Sequence, residues 1–124
     1  MTEYKDKNIA VVGVSFDESK YGYRIFQDLL NAGFKVFGIN PRGGELLEQK
    51  IYPSLKDLGF VPDLVLTVVP PVVTENIIGE ASELGIKEIW MQPGSQSDEV
   101  VELAKSFGMK VTHDSCFMVY NKIW

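Results

Sequence analysis

Apolar residues follow two rhythms along this chain. Short apolar-rich segments at 9–12, 35–39, 63–69, 88–91 and 109–112 alternate with longer stretches in which apolar positions recur about every 3.6 residues. Segments that short predict strands, and the continuous apolar run within 63–69 is what a strand covered on both faces requires, as in a parallel sheet. The stretches between them predict helices. One is 23–30, ended by Gly33. Another is 74–84, with Ile77, Ile78, Ala81 and Leu84 on one face and Gly85 after it. A third is 98–107, with Val100, Val101, Leu103, Ala104 and Phe107 facing inward and Gly108 after it. Ser97 is placed to cap that helix, and Asp98 and Glu99 suit its first turn. The stretch 43–59 is irregular, and after Pro53 it predicts one short helical turn at 54–58 instead of a full crossover helix.

Strand and helix alternating through short glycine-punctuated links predict one α/β domain over residues 1–124. The compact solution is a doubly wound, five-stranded parallel sheet in the order 3-2-1-4-5. Ligands in such sheets sit at the carboxyl ends of the strands, near the switch between the first and fourth. Composition then narrows the partners. A net charge of −5 over 124 residues disfavours nucleic acid, which needs a basic face. The lone Cys116 permits no intrachain disulfide, residues 1–8 lack an apolar leader core, and no apolar run approaches membrane-spanning length. A cytoplasmic protein is expected, with no membrane partner.

Chemistry concentrates in four loops at that edge. Gly13-x-Ser15-x(6)-Gly22 follows the first strand and opens the first helix, so backbone N–H groups and a helix dipole converge where a phosphate could sit. The Ser15 hydroxyl and the Lys20 ammonium suit an anion; Asp17 and Glu18 should point away. A glycine after a buried strand also makes a plain tight turn. After the second strand, Asn40-Pro41-Arg42 stands where an NAD-binding chain carries an acid. Arg42 suits an additional ribose phosphate, as in NADP or coenzyme A, or it is a solvated loop charge. Val69, Pro70, Pro71 and Val73 make a rigid apolar wall, although Pro71 also has simple helix-start value. Gln92-Pro93-Gly94 brings backbone groups to the same edge.

The ordered set Val12-Gly13-Val14-Ser15, Lys20-Tyr21-Gly22, Gly38-Ile39-Asn40-Pro41, Tyr52-Pro53-Ser54-Leu55, Val69-Pro70-Pro71 and Trp90-Met91-Gln92-Pro93-Gly94 resembles the CoA-binding domain family. These are small proteins similar to the N-terminal domain of the succinyl-CoA synthetase alpha subunit, and the likeness runs from about Lys7 to Cys116. The resemblance implies a Rossmann-like domain holding CoA or an acyl-CoA noncovalently. The diphosphate would lie over Gly13, Val14, Ser15 and Phe16, with Lys20, Tyr21 and Gly22 beside it. The adenosine end would lie near Asn40, Pro41 and Arg42, and the loop at Gln92 would touch the ligand. The synthetases carry Gly-x-Thr-Gly-x-x-Gly; here the loop is longer and Ser15 stands for the threonine.

No catalytic residue is expected. The sole histidine lies in His113-Asp114-Ser115-Cys116, and neighbours on an extended segment point apart, which disfavours a Cys–His pair. One His and one Cys make a metal site improbable. The rival readings are an NADP-dependent oxidoreductase or sensor and an interaction module with a vestigial cleft. The apolar run 116–124 is expected to dock across the sheet edge, or to form a homodimer contact through Trp124.

Overall fold

The computed structural model describes residues 3–124. Chain order is β1 (Asn8–Val12), α1 (Tyr21–Asn31), β2 (Lys35–Ile39), β3 (Gly44–Leu46), β4 (Gln49–Tyr52), a 3-10 turn (Leu55–Leu58), β5 (Leu64–Thr67), α2 (Pro71–Glu83), β6 (Glu88–Met91), α3 (Asp98–Ser106), β7 (Lys110–Thr112) and a short α4 (Phe117–Tyr120). The Ser97 hydroxyl caps α3, accepting from the Val100 N–H at 3.2 Å. Phe107 departs from its expected inward position. It is the residue that caps the end of α3, beyond the last packed turn, and half of it faces solvent.

The sheet has seven strands in the order β3-β4-β2-β1-β5-β6-β7, all parallel except β3. This corrects both the strand count and the order 3-2-1-4-5. The irregular stretch after β2 is an edge hairpin, and its second strand, β4, pairs with β2 at Gly38↔Ile51 and Ile39↔Tyr52. With β4 in that place, the strand expected beside β2 lies on the other side, where β5 pairs with β1 along Ile9↔Leu64 to Val12↔Thr67. The return to the far end of the sheet is made by β3 itself, so no crossover helix is needed. The switch point therefore lies between β1 and β5, the first and third of the expected strands instead of the first and fourth.

Alternate residues of β1 feed two apolar layers, as the two-residue strand repeat requires. Ile9 and Val11 face Ile25, Phe26 and Leu29 of α1; Ala10 and Val12 face the layer that holds Ile78, Ala81 and Ala104 of α2 and α3. The carboxyl-terminal run joins the first layer. Phe117 and Met118 are wholly buried, and Phe117 packs edge-on to Trp90 with ring centroids 5.1 Å apart. The run thus completes the core, as expected, in the layer that holds α1 instead of at the sheet edge.

Candidate ligand-binding site

The start of α1 rests directly on the turn that leaves β1. A methyl group on Gly22 would lie 2.0 Å from the Gly13 carbonyl oxygen. One on Gly13, whose φ is 109°, would lie 2.4 Å from the Val68 carbonyl oxygen. Only glycine lets these three backbones approach so closely, and no side chain stands between the turn and the helix. The start of α1 is also chemically open. Lys20 occupies its cap position without making a cap hydrogen bond, and the first turn carries no acid. The N–H groups of Tyr21, Gly22 and Tyr23 are thus left without a side-chain acceptor.

The remainder of this loop is held by its own side chains. The Ser15 hydroxyl accepts from the Asp17 N–H at 3.0 Å, and Asp17 accepts from the Ser19 N–H at 2.9 Å and hydroxyl at 2.7 Å. Asp17 is thereby turned back on its own loop, and the Ser19 hydroxyl, with its amide, holds the carboxyl below the usual range. Asn40 ties the neighbouring loop to this one: its Nδ2 donates to the Val14 carbonyl at 2.7 Å, and its Oδ1 accepts from the Arg42 N–H at 2.8 Å. Both ends of the Asn40 amide are thus engaged in bracing. The Arg42 guanidinium lies over the Phe16 ring, 4.1 Å from its centroid.

Three hollows run in series along this edge of the sheet. The middle one, about 400 Å³, is lined by Gly13, Ser15, Lys20, Tyr21, Gly22, Val69, Pro70, Pro93 and Gly94, among others. On the β2 side it meets a hollow of about 410 Å³ whose walls include Val14, Asn40, Pro41, Pro53, Val73 and Ile77. The two share Gly13, Ser15, Val68 and Val69. Towards the carboxyl-terminal run it meets one of about 260 Å³, with which it shares Tyr21, Val68 and Pro93. The loops singled out in the sequence therefore meet in one groove over the β1–β5 switch.

Four of the expected residues stand differently. Phe16 and Arg42 pair with each other beside the groove. Pro71 lines a separate groove, with Val72, Glu75 and Ser97 among its neighbours. Gln92 borders the smallest hollow, yet it is only 5% exposed and its amide is committed. Its Oε1 accepts from the Phe117 N–H at 2.6 Å and its Nε2 donates to Cys116 Sγ at 3.4 Å. Sequence reasoning missed the residues that hold the Gln92–Ser95 turn. The Ser95 hydroxyl donates to the Gln92 carbonyl at 2.9 Å, so the Thr67 hydroxyl, 2.8 Å away, donates to it; Thr74 donates to the Ser95 carbonyl at 2.7 Å. The signal was there, since Thr67 closes an otherwise apolar strand and buried hydroxyls need partners. His113 and Cys116 do not meet: His113 pairs with Asp114 at 2.6 Å, whereas Cys116 accepts from Gln92.

A family model described as a CoA binding domain matches residues 7–122. The chain belongs to the CoA-binding domain family. Among curated proteins, a relative of this CoA-binding domain is the alpha subunit of the ADP-forming acetate–CoA ligase II of Pyrococcus furiosus. The two are 30% identical over 129 residues, which cover 95% of this chain and 28% of the subunit. The ADP-forming acetate–CoA ligase of Methanocaldococcus jannaschii is 28% identical, with 93% of this chain and 18% of the ligase covered. The chain thus spans less than a third of the length of these curated relatives. A solved structure of a conserved hypothetical protein from Pyrococcus furiosus has a TM-score of 0.88 and 38% identity, covering 92% of this chain and 98% of that one. The dinucleotide-forming acetyl-coenzyme A synthetase 1 of Ca. Korarchaeum cryptofilum has a TM-score of 0.77 and 34% identity over 87% of this chain and 26% of its own. Among the described residues, no helix is long and apolar enough to cross a membrane.

Proposed function

We propose that this domain binds coenzyme A or an acyl-CoA noncovalently and carries out no chemistry on it alone. The observation that carries the reading is the uncapped, acid-free start of α1 pressed against Gly13 at the middle of the groove. Amide donors in a left-open helix turn are complementary to a diphosphate, and a bare glycine cradle leaves room for one. Ser15 and Lys20 add a hydroxyl and a charge at the same place. The neighbouring hollow, apolar apart from Asn40, Ser15, Ser54 and Glu80, suits the flat face of an adenine. Arg42, stacked on Phe16 next to it, supplies the charge for a ribose phosphate. When bound, CoA would supply a thiol or thioester. The chain's contribution is to hold and orient its carrier.

The cytoplasmic setting belongs to this proposal, and so does a second copy as partner. Trp124 packs within its own chain, where its indole N–H donates to Asp28 at 2.7 Å, so a homodimer contact on this run would rest on Val119 and Tyr120. Calorimetric titration with CoA, NADP and NAD separates the readings. Micromolar CoA binding without nicotinamide affinity supports the proposal, NADP preference overturns it, and silence from all three points to an interaction module.

A further inference from the structure

The smallest of the three hollows has a different chemistry from its neighbours. Its walls are the side chains of Tyr21, Ile25, Val68, Pro93, Cys116 and Trp124, with the amide of Gln92. None of these is a cation or an anion. The one amide is braced at both ends, its oxygen accepting from the Phe117 N–H and its nitrogen donating to Cys116 Sγ, and it is only 5% exposed. The nearest guanidinium, Arg24, lies over the Trp124 ring at 4.3 Å, and the Trp124 indole N–H is held by Asp28. Trp124 and Gln92 are thus held in place, and the polar groups of both are paired.

We infer that this hollow is a subsite for a short apolar acyl group carried on CoA. The inference rests on the CoA reading and names the class of thioester. A carrier whose phosphates lie over Gly13 and Gly22 has its arm leaving across Tyr21, Val68 and Pro93, the residues shared with this hollow. At about 260 Å³ the space exceeds the engineered apolar cavity, on the order of 150 Å³, that takes up benzene. It therefore has room for a chain of a few carbons. Each methylene moved from water onto such walls should tighten binding about fourfold. A terminal carboxylate would enter with no cation on the wall to meet it and would lose its hydration.

The test is calorimetric titration with CoA, acetyl-CoA, butyryl-CoA and succinyl-CoA. Butyryl-CoA, two methylenes longer than acetyl-CoA, is expected to bind on the order of tenfold tighter than it. Succinyl-CoA is expected to bind at least tenfold more weakly than butyryl-CoA. Cys116→Leu, which fills the hollow, should bring the butyryl-to-acetyl ratio close to one. Should that variant fail to fold, Trp124→Ala, which removes one wall, must lower the same ratio. If CoA binds while the acyl series stays within twofold, the subsite is wrong and the CoA reading stands. If none of the four binds, the CoA reading falls and takes the subsite with it.

Discussion

Two helices of this domain begin in opposite ways. α3 starts with the Ser97 hydroxyl on the Val100 N–H, followed by Asp98 and Glu99, so its positive end is already satisfied and carries two negative charges. α1 starts with Lys20, has no cap and no acid, and lies against Gly13 with nothing between. The first arrangement maximises the stability of the helix by itself. The second gives up about 1 kcal/mol of capping and leaves donors free for a ligand. Of these two starts, the one that helps the fold less is placed at the centre of the groove, as expected where function and stability draw on the same groups.

Substitutions can break this contrast. Gly22→Ala should have the largest effect, because its methyl would meet the Gly13 carbonyl oxygen. We expect about 3 kcal/mol of lost stability in thermal or denaturant unfolding, with loss of CoA binding. Arg42→Ala should weaken CoA by about 1.5–3 kcal/mol, on the order of ten- to a hundredfold, while dephospho-CoA changes little; equal losses would remove Arg42 from the ribose phosphate. Ser97→Ala should cost about 1 kcal/mol of stability and leave CoA affinity as it was, the reverse of what a change at α1 does. Lys20→Glu should weaken CoA by about 1 kcal/mol in low salt, with the loss fading as salt is raised.

Asp17 gives the smallest effect. Its carboxyl is held below the usual range by Ser19, so its contribution to the loop is complete above the ordinary carboxylate pKa. That contribution disappears as pH falls through the lowered value. A carboxyl-carbon NMR titration should show Asp17 below the usual range, and Ser19→Ala, which removes the hydroxyl and keeps the amide hydrogen bond, should raise it part of the way back.

Much of this was legible in the chain because the deciding signals are local. The strands are short apolar runs, and Ser97 followed by two acids is a helix start that can be read by eye. The edge hairpin was hidden. Its turn residues, Leu47 and Glu48, have φ of 52° and 64°, a left-handed geometry usually given to Asn-Gly, and the facing Glu45 and Lys50 are polar. Missing β4 displaced β5 in the expected order. The groove's loops were also legible, but not what their side chains do. Asn40 and Gln92 look like ligand donors in sequence, and only contacts 25 or more residues away reveal them as braces. The hollow at Trp124 was invisible for the same reason, since the carboxyl-terminal run must fold over α1 before it exists.

Amide shifts in a 15N correlation spectrum recorded while CoA is added test the central claim most directly. The account predicts the largest changes at Val14, Ser15, Tyr21, Gly22 and Tyr23, with Asp98, Glu99 and Val100 unmoved. Changes centred on the start of α3, or saturable binding that leaves the Gly13–Gly22 turn undisturbed, would contradict it.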